Sequence, residues 1–261
     1  MPAGLNRANQ QLSGLTLTGE RTLPGIAHEN YWFRRHEAAY RALAPFTTGA
    51  RVLEAGCGEG YGADLLARSA KQVVAVDVDP ATATHAATAY PAIDVLRADL
   101  ERLPLQAGSV DVVATLQVIE HLHDQQAFVA ECARVLRPAG TLLLTTPNRL
   151  TFSPGRDTPL NPFHTRELSA VELDELLAPH FAVTRLGGVH HGRRLSRWER
   201  RNGPIIDAQL ARPPEDWPPQ LRRRVEAVTA ADFAVRLGAS TRVAADVDIS
   251  LDLVAVAWRR P

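Results

Sequence analysis

The stretch TLQVIEHLHDQ, residues 115–125, gathers an amide, a carboxylate and two imidazoles (Gln117, Glu120, His121 and His123) at the end of the apolar run VDVVATL. Groups of these types move protons or ligate metals, and imidazole exchanges its proton near neutral pH. A surface helix would spread them over one polar face, and a buried strand would exclude them. Their crowding into one turn therefore points to a site. His123 stands one residue before Asp124, a good helix N-cap, and is expected to face solvent.

A second constellation lies upstream. VLEAGCGEGYG (52–62) places Gly56, Gly58 and Gly60 after a strand and before a helix, where glycines let the backbone pass close to a ligand and present amides to it. Asp77 follows 21 residues after Gly56, at a strand end, where a carboxylate can accept both hydroxyls of a ribose. Asp99 ends the next strand and is placed to hold an adenine amino group. Gly58-Glu-Gly60-Tyr-Gly-Ala63 formally fits the dinucleotide pattern, which supports an NAD reading. Glu54 opposes it, because a carboxylate there repels a pyrophosphate and suits a cationic ligand; Asp99 also has no role in the dinucleotide fingerprint.

These residues need a frame. Apolar runs at 50–56, 72–79, 93–99, 110–117 and 140–147 look like fully buried strands, and helical patterns alternate with them. The link LERLPLQAGS is marginal as a helix. Such alternation predicts a parallel sheet covered on both faces by helices. After the fifth strand TFSPGRDTPLNPFHTREL (151–168) reads as a long loop, then SAVELDELLAPH as a capped helix, and FAVTRLGGVH and SLDLVAVAW as two last strands. Three regions result: a lid segment and helix at 1–45, a core at 46–192 and 250–261, and an inserted helical cap at 193–249.

The 261 residues carry 29 acidic and 29 basic side chains, so no global field favours nucleic acid. Lys71 is the only lysine, and the arginine-rich remainder carries no functional weight. Apolar runs are strand-length, far short of a membrane span, and the polar N-terminus lacks a signal-peptide pattern. Two cysteines make no disulfide framework, so a cytoplasmic home is expected.

ExGCGxG at Glu54–Gly60, the acids Asp77 and Asp99, VDVVATLQVIEHL and LLLTTPN occur in the order that resembles a class I S-adenosylmethionine-dependent methyltransferase, over about residues 45–185. The resemblance implies a Rossmann-like α/β fold, a seven-stranded, mostly parallel sheet in the order 3-2-1-4-5-7-6 with an antiparallel seventh strand. It implies S-adenosyl-L-methionine as cofactor, held by Glu54, Gly56, Gly58, Gly60, Asp77, Val78, Asp99, Leu100 and Gln117. Tyr31, Trp32, Arg35 and His36 would cover it, with Arg35 pairing its carboxylate. The turn after the fourth strand then faces the transferable methyl group, and Glu54 works through structure or near the ligand's amino end.

For that turn three readings stand open. In one, Glu120 and His121 simply brace the loop; in the second, His121 or His164 is general base for an acceptor hydroxyl. In the third, Glu120, His121 and His164, with Gln117 as a weaker fourth ligand, bind Mg2+ or Mn2+. The spacing resembles the E-x-x-E-H…H metal site of small-RNA ribose and ubiquinone-pathway O-methyltransferases, with Gln117 replacing the first Glu. More narrowly, TLTGERTLPG (16–25), ENYWFRRH (29–36) and the 151–168 loop resemble actinobacterial methyltransferases of 6-O-methylglucose lipopolysaccharide biosynthesis. That implies a sugar hydroxyl of an oligosaccharide as acceptor, in a groove including His190 and His191. A quinone, polyketide or lipid-like acceptor, an anionic acceptor at Arg193, Arg194, Arg197, Arg200 and Arg201, and a non-catalytic cofactor-binding protein are the alternatives.

Overall fold

The computed structural model describes residues 21–238 and 244–260. Its strands are β1 (Arg51–Ala55), β2 (Gln72–Asp77), β3 (Asp94–Arg97), β4 (Val110–Leu116), β5 (Leu136–Pro147), β6 (Phe181–His191), β7 (Phe233–Leu237) and β8 (Asp252–Arg259). They form one sheet in the order β3-β2-β1-β4-β5-β8-β6-β7. Pairing is parallel from β3 through to β5, while β8 runs antiparallel to both β5 and β6.

Alternation along the strands sends side chains to two cores. Val52, Val112, Ala114, Leu143, Val254 and Val256 meet one helical layer; Leu53, Val113, Leu142, Leu144, Ala255 and Ala257 meet the other. The first layer holds α1 (Asn30–Leu43), α2 (Tyr61–Ala67) and α3 (Pro80–Ala89). The second is built chiefly from α4 (Gln125–Val135), beyond which come the short α5 (Arg149–Phe152) and then α6 (Ala170–Leu177). Asp124 caps α4 through the Ala127 amide at 2.8 Å, and Ser169 with Glu172 forms a capping box on α6.

Two expectations are corrected. The strand at 93–99 is not fully buried: β3 is the sheet edge, with Leu96 at 40% exposure, because it has one neighbour only. The sheet also has eight strands rather than seven. The order foreseen for the first seven is kept, with β8 as its antiparallel strand, and β7 is added on the outer edge. It arises within 193–249, a segment expected to be helical throughout, which does supply α7 (Arg193–Asn202), α8 (Ile205–Leu210) and α9 (Pro219–Glu226). β7 pairs with β6 from Gly187↔Leu237 to His191↔Phe233 and so satisfies backbone groups that β6 would otherwise leave open. The short run FAVRL between arginines and alanines gave little sign of it. Close approach there depends on Gly187, where an added Cβ would lie 1.8 Å from the Arg236 carbonyl oxygen.

The first half of the TLTGERTLPG motif and residues 1–20 of the 1–45 segment lie outside the described residues. The helix that follows, α1, is held firmly. Asn30 Nδ2 donates to the carbonyls of Val225 and Val228, each at 2.9 Å, tying α1 to the end of α9. Arg35 is 2% exposed and forms a bidentate pair with Asp252 on β8, with Nε donating to Oδ2 at 2.6 Å. Among the described residues no helix is long and apolar enough to cross a membrane.

Removing one partner of such a pair strands a charge in the interior. Asp252→Ala is therefore expected to cost about 3–5 kcal/mol of stability in urea denaturation, and Asp252→Asn less. A loss below about 1 kcal/mol for the alanine variant would contradict this role for the pair.

Candidate active site

At the carboxyl ends of β1, β2 and β4, where the strand order reverses direction, the glycine loop opens a cavity of about 320 Å3. Gly56, Gly58 and Gly60 adopt φ of 82°, 53° and 101°, a left-handed region costly for other residues. At Gly56 an added Cβ would also lie 2.5 Å from Val118 Cγ2. Asp77 lines the cavity; its Oδ2 accepts from the Gly58 amide at 2.9 Å and its Oδ1 from the Asp79 amide at 3.0 Å. Each oxygen keeps a lone pair, so the carboxylate is fixed in place and still able to accept hydroxyls. Val78 and Leu100 supply apolar walls.

Three residues expected at the cofactor, Asp99, Tyr31 and Arg35, stand elsewhere, and Glu54 has the structural placement that is one of its two expected roles. Asp99 is exposed, does not line the cavity, and caps the following turn through the Glu101 amide at 2.9 Å. Glu54 is fully buried beneath the loop, where Tyr40 Oη donates to Oε1, and burial pushes its carboxyl up to about 8. Tyr31 lies in the interior, bonded to His191 Nε2 at 2.6 Å, and lines neither this cavity nor the next. Arg35 reaches the neighbouring cavity, but its guanidinium is engaged by Asp252. The bland signals of these positions, a strand-end acid and aromatic or basic residues in a helix, do not distinguish ligand contact from internal pairing.

The opening turn lies where β4 ends. Gln117 has φ of 59°, one of two non-glycine residues with positive φ among the described residues, and such strain collects at functional sites. Its amide donates to the Thr145 carbonyl at 2.9 Å and its side chain to Thr145 Oγ1 at 3.1 Å. A 3₁₀ turn over Ile119–His121 follows. Glu120 is 1% exposed, accepts from Thr146 Oγ1 at 3.0 Å, and has its carboxyl pushed up to about 8 by burial. His123 is exposed.

The 151–168 loop folds back on this turn. The Glu120 carbonyl accepts from the Thr165 amide at 2.7 Å and from Thr165 Oγ1 at 3.0 Å, and His121 Nδ1 donates to the Phe163 carbonyl at 3.0 Å. His164 is thereby brought edge-on to His121, with ring centroids 4.9 Å apart. One ligand atom from each of Glu120, His121 and His164 lies within 4.8 Å of the others. His190 and His191 stay outside this cluster and line neither cavity.

A second cavity, of about 360 Å3, opens beside the first. Trp32, Phe152 and Phe163 give it aromatic walls, and Glu29, Glu120 and His164 give it polar groups. Gln117, His121, His36, Thr22 and Arg21 line both cavities. Burial lowers His36 to about 4, so it is neutral there, and raises Glu29 to about 7. Glu29, Thr22 and Arg21 escaped the sequence reading; Glu29 opens the ENYWFRRH motif, whose aromatic and basic members drew attention away from it.

Comparison with known proteins now bears on this arrangement. Residues 53–144 match the family model described as a methyltransferase domain. The chain is 55% identical over 249 residues to a Mycobacterium tuberculosis H37Rv protein named "Probable S-adenosylmethionine-dependent methyltransferase", covering 94% of this chain and 90% of that one. A similarly named protein of Mycolicibacterium smegmatis is 55% identical over 251 residues, covering 95% and 96%. Part of the chain, 115 residues or 42%, is 38% identical to a ubiquinone biosynthesis O-methyltransferase of Xanthomonas campestris, covering 48% of it. Among solved structures, a methyltransferase from Thermotoga maritima superposes with a TM-score of 0.61 at 16% identity, over 89% of this chain and 95% of that one. The cyclase SpnF superposes at 0.56 with 21% identity, over 85% and 79%. Such remote likeness shows the fold, and the cyclase illustrates that the fold alone does not fix the chemistry.

The chain belongs to the S-adenosylmethionine-dependent methyltransferases. S-Adenosyl-L-methionine is the cofactor this family implies, and the first cavity fits it: Asp77 is oriented to accept ribose hydroxyls, apolar Val78 and Leu100 stand beside it, and the glycine loop leaves the approach open.

Gly56→Ala is expected to weaken cofactor binding by about tenfold or more in calorimetry, since the strain and the Val118 clash both act on the loop; unchanged affinity would refute the close-packing account. Glu54 generates a stability test. The folded protein holds its proton up to about pH 8, whereas an unfolded chain releases it near the ordinary value of 4.5. The folded state therefore binds more protons between these values, and stability falls as pH rises through that window. Glu54→Gln should flatten this fall in Tm; an identical slope in the variant would contradict the burial of a neutral Glu54.

Proposed function

We propose that this protein is an O-methyltransferase that methylates a sugar hydroxyl of an oligosaccharide precursor. The carrying observation is that the glycine-loop cavity and the aromatic cavity meet at Gln117 and His121. A cofactor in the first would direct its methyl group at an acceptor in the second. The aromatic faces of Trp32, Phe152 and Phe163 suit the apolar face of a sugar ring, while Glu29 and Asn161 suit its hydroxyls. The resemblance to methyltransferases of methylglucose lipopolysaccharide formation supports the same acceptor, and the partial similarity to an O-methyltransferase supports transfer to oxygen.

Transfer is an in-line displacement. The acceptor oxygen forms a bond to the methyl carbon, the carbon–sulfur bond breaks, and its electron pair stays on sulfur, converting the sulfonium to a thioether. The hydroxyl proton passes to His121, whose Nδ1–H donates to the Phe163 carbonyl and so leaves Nε2 as the basic nitrogen. In place of that base role for His121, Glu120, His121 and His164, with Gln117 beside them, would hold a divalent cation such as Mg2+ or Mn2+; the buried carboxyl of Glu120 and ligand atoms within 4.8 Å of one another fit one. Bound there, a cation would lower the pKa of the acceptor hydroxyl.

A specific feature favours a second reading. Leu160, Phe163 and Leu210 at the rim of the aromatic cavity are 37%, 41% and 51% exposed, an apolar mouth that suits a quinone or another lipid-like hydroxyl.

The test is an acceptor screen with methyl-labelled cofactor, comparing methylglucose oligosaccharides with hydroxyquinones and reading the methylated position by NMR. Sugar-hydroxyl methylation is expected, with His121→Ala lowering kcat by about 100-fold or more. Exclusive turnover of quinones would replace the sugar assignment. Full activity after exhaustive chelation would remove the cation.

A further inference from the structure

His164 is held from behind. Its Nδ1 lies 2.6 Å from Glu167 Oε1, and the two side chains are 5% and 1% exposed. Glu167 Oε2 is buried and has no hydrogen-bond partner among the described residues, so the imidazole is what this carboxylate is buried against. An acidic side chain placed so deep for packing alone would be costly, because burial of a carboxylate is compensated only by the donors it finds.

The other ring nitrogen carries the complementary signal. His164 Nε2 lies 3.1 Å from Asn161 Nδ2, while Asn161 Oδ1 accepts from the Phe163 amide at 3.0 Å. That second bond fixes which end of the amide faces the ring, and an NH2 group can donate to Nε2 only when Nε2 carries no proton. A carboxylate at Nδ1 and an amide donor at Nε2 therefore select one neutral form of the ring.

We propose that Glu167 is a positioning residue of the acceptor site, holding His164 as its Nδ1–H tautomer so that Nε2 keeps a lone pair at the aromatic cavity, engaged by the Asn161 amide until an acceptor group displaces it. The role assigned to the lone pair rests on reading that cavity as the acceptor site. There, once Asn161 yields its place, the lone pair would accept a hydrogen bond from the acceptor hydroxyl or ligate a cation, and an Nε2–H ring would offer neither. The logic is that of any carboxylate–imidazole pair in which the acid sets the tautomer and orientation of a working ring.

The main chain around Glu167 is fixed independently of its carboxylate. Leu168 bridges Asn148 at the end of β5, its carbonyl accepts from the Arg149 amide at 3.0 Å, and the Arg166 carbonyl accepts from Gln125 Nε2 at 2.9 Å. A substitution at Glu167 can therefore change the ring without releasing the loop. In Glu167→Gln the amide NH2 can turn to Nδ1 and donate to it, which forces the proton to Nε2.

The direct measurement is the tautomer of His164 from imidazole 15N resonances of the full chain, assigned by their loss in His164→Ala. The wild-type ring is expected to show a protonated Nδ1 and an unprotonated Nε2, and Glu167→Gln should move the ring to a mixture or to the opposite tautomer. The same variant should lower kcat about 10- to 100-fold with cofactor affinity unchanged. A wild-type ring protonated at Nε2 overturns the proposal whether or not the variant folds. So does a Glu167→Gln variant with an unaltered tautomer, or one with an altered tautomer and unaltered kcat. The resonances are read without any acceptor, so failure of the sugar-hydroxyl assignment in the acceptor screen is distinguishable from failure of this one.

Discussion

The main-chain carbonyl of Glu120 joins two segments of chain that are 45 residues apart: it accepts from both the amide and the hydroxyl of Thr165. Without that junction the turn after β4 and the loop after α5 would each present an isolated histidine. With it, His121 and His164 face one another and Glu120 is sealed between them. A carbonyl that leaves a 3₁₀ turn unpaired is a strong acceptor in search of a donor, and the loop supplies two. Thr165 Oγ1 adds a bond to the Leu122 carbonyl at 2.6 Å, and Gln125 closes the arrangement from α4 by binding the carbonyls of Ile119 and Arg166.

Around this junction charge is handled by burial more than by pairing. Glu54, Glu120 and Glu29 are all pushed upward by desolvation, and among the described residues none forms an ion pair through its carboxyl. The buried guanidinium nearby, Arg35, is matched to Asp252 and closes α1 against β8. The consequence is that no carboxylate lines the wall shared by the two cavities, which would be favourable when positive charge vanishes from sulfur during transfer. The helix that helps line the aromatic cavity is anchored at its middle by Arg35 and at its start by Asn30.

Much of the frame was legible because strands buried on both faces have an unmistakable apolar signature and glycines mark the loop. The order of the seven principal strands and the approach of Gly56, Gly58 and Asp77 to one cavity follow from those signals. β7 did not show, since five residues with two outward-facing polar neighbours look like any arginine-rich connection. Tyr31 and Arg35 share a reason for standing apart from the cavity: a sequence names a group able to bind a ligand, but only packing decides whether another side chain takes it first, while Asp99 is engaged by a backbone amide of its own turn. Glu167 was invisible as a partner of His164 because three-residue spacing in a loop carries no periodicity. Glu120, His121 and His164 could be grouped in advance only through the resemblance of their spacing to a family metal site, and the stitching at the Glu120 carbonyl is the physical cause of their meeting.

The central claim is that methyl transfer occurs at the wall shared by the glycine-loop and aromatic cavities. A crystal structure with S-adenosylhomocysteine bound tests it most directly. The account predicts ribose hydroxyls on Asp77 and the thioether sulfur at Gln117 and His121, directed into the aromatic cavity. A sulfur turned away from that cavity, or an adenosine lodged between Trp32 and Phe163, would contradict it.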